Sequence, residues 1–137
     1  MSSRTWGSKS QQVRATLDPR LQRVVDRILA EVCDIALIYG FRSEQEQNYL
    51  HAQKRSQLRW PQSKHNKQPS LAVDFTTFPV NLKATKLREE LAFVAGAAIA
   101  IAREEGVKLR WGGDWNRNGD LDDNGFDDYF HLEIDDD

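Results

Sequence analysis

Residues 18–39 read DPRLQRVVDRILAEVCDIALIY, and this stretch decides the fold. Asp18 is a good N-cap, and Pro19 falls at the first helical position, where its missing N–H costs nothing. Leu21, Val24, Val25, Ile28, Leu29 and Val32 then recur at helical spacing, which predicts an amphipathic helix packed on a core. Ile35 to Tyr39 is a short apolar run and predicts a buried strand directly after that helix. Working outward, Gly40 to Arg42 turn the chain, and Ser43 with Glu46 has capping-box spacing for a second helix. Residues 54–70 are basic and polar and read as a long loop, a kind of segment that is often functional in compact domains. Ala72 to Phe78 reads as a strand. A third helix is expected from about Thr85 to Glu105, with Leu87, Leu91, Val94, Ala95, Ala98, Ile101 and Ala102 as its buried stripe. Val107–Trp111 and Tyr129–Ile134 read as strands on either side of an acidic Gly/Asn/Asp loop, Gly112 to Asp128. Intermixed helices and strands with these gaps suit antiparallel pairing, so the expected fold is a small α+β domain.

The chain has 137 residues, enough for one domain, 1–137, with a real core. At 39% hydrophobic and 29% charged it has the composition of a globular protein rather than a disordered one. Its longest apolar stretch, Leu91 to Ala102, is too short for a spanning helix, so no membrane insertion is expected. The start, MSSRTWGSKSQQ, has no hydrophobic run, so no ordinary secretory signal is expected. Cys33 is the sole cysteine, which excludes an internal disulfide framework and a cysteine-based zinc site. The net charge of −2 hides an asymmetry: residues 1–110 carry 18 basic and 11 acidic residues, whereas 111–137 carry one basic and ten acidic. A basic body suggests an anionic partner. No recognised motif accompanies the charge, so nucleic-acid binding is disfavoured. Arg55, Arg59, Lys64 and Lys67 are candidates for steering toward an anionic polymer, or simply a solvated face.

Chemistry is suggested first by the histidines. His65 ends the basic loop, Asp74 lies in the next strand, and His131 lies in the last strand with Asp128 three residues before it. Two His and one carboxylate form a common catalytic zinc set, with the fourth position left for water. On spacing alone this trio is one of many in a chain with three His and 21 acids, and a surface or hydrogen-bonded role stays open for each. His51 reads as an exposed helix residue.

The surrounding residues narrow the choice. Ser63-Lys64-His65 followed by Ala72-Val73-Asp74 resembles the S-x-H … A-x-D signature of the zinc peptidases that cleave bacterial cell-wall peptides. That family joins D-alanyl-D-alanine carboxypeptidases and dipeptidases to the L-alanyl-D-glutamate endopeptidases of phage lysins. Asp128-Tyr129-Phe130-His131 resembles its acid-x-x-His segment, Gly40-Phe41-Arg42-Ser43 its G-x-R-[ST] turn, and Trp111-Gly112-Gly113-Asp114-Trp115 its W-G-G-D-W approach to the site. The resemblance implies a zinc site at the sheet with His65, Asp74 and His131 as ligands. It also implies Asp128 as catalytic base, and Arg42 and Ser63 facing the substrate. The step from His65 to Asp74 is nine residues where the family usually has seven, which is expected to alter the groove rather than the metal site. The implied activity is cleavage of the L-alanyl-D-glutamate bond in peptidoglycan stem peptides, with D-alanyl-D-alanine carboxypeptidase action as the alternative. A non-catalytic wall-binding or calcium-binding module is the competing class. A leaderless enzyme of this kind would act at the wall after export through a holin-like pore, as a monomer by default.

The acidic loop suggests a second ion. Asp114, Asn116, Asn118 and Asp120 alternate, with Gly119 at the sixth position, like the first half of an EF-hand. The Glu expected at position 12 is replaced by Gly125, and Asp122 or Asp123 would have to close the shell. The expectation is a calcium site on Asp114, Asn116, Asn118, Asp120 and Asp123.

Overall fold

A four-stranded antiparallel sheet, backed by helices, forms the frame of the α+β fold in a computed structural model that describes residues 4–120 and 127–136. The elements run α1 (Ser8–Ala15), α2 (Pro19–Glu31), β1 (Ile35–Tyr39), α3 (Glu44–Ala52), β2 (Ala72–Thr77), α4 (Leu87–Glu104), β3 (Leu109–Gly112) and β4 (Asp128–Ile134). A single 3₁₀ turn, Lys64–Asn66, interrupts the long loop before β2. Strand order is β1-β2-β4-β3. Among the described residues no helix is long and apolar enough to cross a membrane.

Helix α2 starts where expected: the Asp18 carboxylate accepts from Arg20 N at 2.9 Å, with Pro19 just inside. Its buried side chains are Leu21, Val24, Val25, Ile28 and Leu29, while Val32 caps the helix and is half-buried. Helix α4 buries Leu91, Val94, Ala95, Ala98, Ile101 and Ala102, packs against α2, and lies across β2, β3 and β4. Val73, Phe75, Leu132 and Ile134 face it from the sheet, all fully buried, and burial of each such side chain is worth about 1.5–3 kcal/mol. Helix α3 is held by the Ser43/Glu46 capping box. His51 lies in α3 and is half-buried, and Cys33 sits at the core boundary.

Helix α1 was not expected, because SKSQQVRA has almost no apolar face. Polar contacts anchor it instead. Ser10 Oγ accepts from Leu37 N on the edge strand β1 at 3.0 Å, and Arg14 forks onto Asp26 of α2 at 2.8 and 2.6 Å.

Because side chains alternate along a strand, burying Leu132 and Ile134 against α4 turns His131 and Glu133 to the opposite face. On that face the register places His131 directly across from Asp74 on β2, and Glu133 directly across from Arg110 on β3. At the other end of the pairing, Gly112 meets Asp128. A Cβ at Gly112 would collide with the Asp128 carbonyl oxygen, so the close approach that seats Asp128 requires glycine there.

Candidate metal centre and groove

Three elements deliver three donors to one point. Asp74 comes from β2, His131 from its partner β4, and His65 from the 3₁₀ turn. That turn is built locally: Ser63 Oγ accepts from His65 N at 3.1 Å, and Asn66 Oδ1 accepts from Ser63 N at 3.1 Å. The nine-residue step from His65 to Asp74 is absorbed between the turn and β2, and the two side chains still meet.

The donor atoms lie almost equidistant. His65 Nε2 is 3.2 Å from Asp74 Oδ1 and 3.3 Å from His131 Nδ1, and His131 Nδ1 is 3.1 Å from Asp74 Oδ1. Tetrahedral bonds of about 2.0–2.1 Å put neighbouring ligand atoms roughly 3.3–3.4 Å apart, so the triangle already has the size of one face of a zinc site. The other atom of each ligand is tied down. His65 Nδ1 donates to Gly40 O at 2.7 Å, which leaves Nε2 with its lone pair. His131 Nε2 donates to Glu133 Oε1 at 2.8 Å, which leaves Nδ1. Asp74 Oδ2 accepts from Arg42 Nη2 at 2.8 Å, which leaves Oδ1. Outer contacts of this kind fix tautomer and orientation in metal sites. The donor set and its spacing therefore fit a metal ion.

Charge agrees with geometry. Burial favours the neutral acid at Asp74, but the charges and hydrogen bonds of His65 and His131 outweigh it and hold the carboxyl far below its ordinary range. Burial also works against a charged His131, yet Asp74 and Glu133 on either side push it up to about 9. Glu133, despite its burial, is held at about 2 by His131 and Arg110. Asp128 goes the other way: burial, and then the charge of Asp74, raise it above the usual carboxylate range.

The cluster meets a groove of about 640 Å³ through His65 and His131, and the lining also includes Arg42, Arg55, Leu58, Trp115 and Asp128. Asp127 and Ser63 also reach the groove. The Trp115 ring lies 5.4 Å from that of His131, and the Arg110 guanidinium lies 5.6 Å over Trp115. Arg42 borders the groove too, but its guanidinium is largely buried, with Nη2 on Asp74 and its carbon 4.6 Å over the Tyr39 ring.

Two side chains that the sequence reading passed over are central here. Gln47, fully buried in α3, accepts from Arg42 and Asn66 and donates to Ser56 Oγ and Leu58 O, joining the Asp74 partner to the groove wall. Glu133 holds His131. Its signal was present in the sequence, since His131-x-Glu133 on a strand puts both on one face.

In the acidic loop, Asp114 accepts from Asn118 N and Gly119 N, Asn116 Oδ1 from Asn118 N, and Asn118 Oδ1 from Asp120 N. Gly119 has φ +81, the sharp turn expected at that position. Asp122 and Asp123 lie outside the described residues.

Comparison with known proteins agrees with this geometry. A family described as phage L-alanyl-D-glutamate peptidase matches residues 1–134. The L-alanyl-D-glutamate peptidase of Escherichia phage T5 is 32% identical over 120 residues, covering 86% of each chain. The crystal structure of the Serratia marcescens L-Ala D-Glu endopeptidase ChiX shares the fold, with a TM-score of 0.73 at 24% identity over 93% of this chain and 87% of that one. With a His-Asp-His donor triangle beside a groove and a family match over residues 1–134, the protein is a peptidoglycan-cleaving peptidase of the endolysin type and belongs to the phage L-alanyl-D-glutamate peptidase family.

Proposed function

We propose that the chain, as one catalytic unit over residues 1–137, hydrolyses the L-alanyl-D-glutamate bond of peptidoglycan stem peptides, with zinc held by His65, Asp74 and His131. The observation that carries this reading is the donor triangle of 3.1–3.3 Å sides, in the same groove as a carboxyl whose proton affinity is raised. Zinc, when bound, would supply Lewis acidity, polarising the scissile carbonyl and acidifying water.

The chain's own residues do the rest. Asp128 takes a proton from the attacking water on its carboxylate and returns it to the departing amine of D-glutamate. Its raised proton affinity suits both halves of that task. Arg42 keeps Asp74 Oδ1 turned to the donor triangle by holding Oδ2, and as a residue lining the groove it would meet a substrate oxygen. Ser63 Oγ accepts from His65 N and so helps set the position of His65, and as a residue lining the groove it would meet the stem peptide. Lys54 and Arg55 on the groove wall are suited to the free carboxylates that such peptides carry. We propose further that the enzyme works as a monomer, reaches the wall through a holin-like pore, and takes calcium at Asp114, Asn116, Asn118 and Asp120.

The test is product analysis. Purified peptidoglycan is digested, new amines are labelled, and the fragments are sequenced by mass spectrometry. A new amino terminus on D-glutamate is expected. Release of free D-alanine instead would establish the carboxypeptidase alternative, and no cleavage at all would leave a wall-binding module.

A further inference from the structure

We propose that Glu133 is a positioning residue that decides which nitrogen of His131 faces the metal. The proposal rests on the zinc reading above but concerns a residue that this reading does not use. His65 and His131 present different nitrogens to the centre, Nε2 from the one and Nδ1 from the other. An imidazole on a strand is free to turn its ring or to move its proton from one nitrogen to the other, and only a deprotonated nitrogen can ligate. At His131 both freedoms are removed by one contact. Glu133 Oε1, two residues along β4 and on the same face, stands 2.8 Å from Nε2. A carboxylate can only accept, so Nε2 keeps its proton on Glu133, and Nδ1, which faces Asp74 Oδ1 at 3.1 Å, is the nitrogen that gives up its proton when a metal binds.

Glu133 is itself prevented from moving. It is 6% exposed, and its second oxygen accepts from Arg110 at 2.6 and 3.2 Å, its direct cross-strand neighbour. Lys64 Nζ lies 3.5 Å from that same oxygen and also donates to the Ile134 carbonyl. Since Lys64 immediately precedes His65, one carboxylate ties the turn that carries the first histidine to the strand that carries the second. Its engagement with Nε2 places it on the far side of the ring from Nδ1, so Glu133 is neither a fourth ligand nor a second base. Both acids of β4 line the groove, but Glu133 has its oxygens taken by His131 on one side and by Arg110 and Lys64 on the other.

The experiment measures zinc(II) affinity of the intact chain by competition with a chromophoric chelator, together with long-range ¹⁵N–¹H spectra of the histidine rings. In the zinc-loaded wild type, His131 is expected to be protonated at Nε2 and metal-bound through Nδ1. Glu133→Leu should lose about 10- to 100-fold in affinity, the usual cost of removing such a partner. Glu133→Gln keeps one acceptor oxygen but must turn its amide N–H toward either His131 or Arg110, so its affinity should lie between those of wild type and Glu133→Leu. Leucine binding zinc as tightly as wild type would overturn the proposal. If Glu133→Leu fails to fold, the wild-type spectrum decides: Nε2 on the metal overturns the assignment. A wild type that binds no zinc would instead sink the metal reading on which it stands.

Discussion

The metal-free protein should lose stability as pH rises from 6.5 to 8, while the zinc-loaded protein should not. The perturbation is titration of His131, which Asp74 and Glu133 push up to about 9 from an unfolded value of about 6.5. A group whose folded pKa is raised stabilises fully below its unfolded pKa and loses that contribution as pH climbs through the folded one. The difference of about 2.5 pH units is worth roughly 3 kcal/mol at acid pH, and between pH 6.5 and 8 about 1–2 kcal/mol of it disappears. For a chain of this size that corresponds to a fall of roughly 5 °C in Tm. Cys33, whose thiol burial pushes up, acts in the same direction only above about pH 8.5, which leaves 6.5–8 as the diagnostic window. Zinc must displace the His131 proton, so its apparent affinity should rise about tenfold per pH unit up to about pH 9. The assay is a pair of thermal melts, with chelator and with excess zinc, at half-unit steps of pH. A metal-free Tm that stays level or rises across the window, with zinc affinity independent of pH, would refute the Asp74–His131–Glu133 charge arrangement.

Asp128→Asn should fold and hold zinc normally but turn over about 10²–10⁴-fold more slowly, as measured by release of labelled stem peptides; a silent Asn there, with Asp127→Asn inactive, would move the base by one residue. Arg42→Lys should bind zinc less tightly and cleave poorly, because an ammonium cannot reproduce the planar guanidinium that grips Asp74 while lying over Tyr39, and unchanged kinetics would show that a simple charge suffices. A calcium-selective chelator that leaves zinc bound should lower peptidoglycan cleavage by ~10²-fold if loss of the ion misplaces the base by about 1 Å; unchanged activity would reduce residues 114–120 to an acidic turn.

Much of this was legible in the residues. The α2 stripe from Leu21 to Leu29 and the buried face of α4 follow from helical periodicity, and both helices occur with nearly the expected bounds. The residues of the donor triangle were readable because Ser63-x-His65, Ala72-x-Asp74 and Asp128-x-x-His131 are local patterns. What escaped has a common cause. Helix α1 is docked by Ser10 on Leu37 and Arg14 on Asp26, which are polar contacts without periodicity. Gln47 acquires its role through burial in α3 from partners 5 to 19 residues away, and although His131-x-Glu133 is a local pattern, the contacts that hold Glu133 come from Arg110 and Lys64, 23 and 69 residues away, through strand register and the fold of the loop.

The central claim is that His65, Asp74 and His131 bind the catalytic zinc. The most direct measurement is a crystal structure of the zinc-loaded chain with anomalous data on both sides of the zinc edge. One strong peak is predicted, about 2.0–2.2 Å from His65 Nε2, Asp74 Oδ1 and His131 Nδ1, with a fourth position open to the groove. A zinc peak elsewhere, or none in a protein that cleaves peptidoglycan at full rate, would contradict the account.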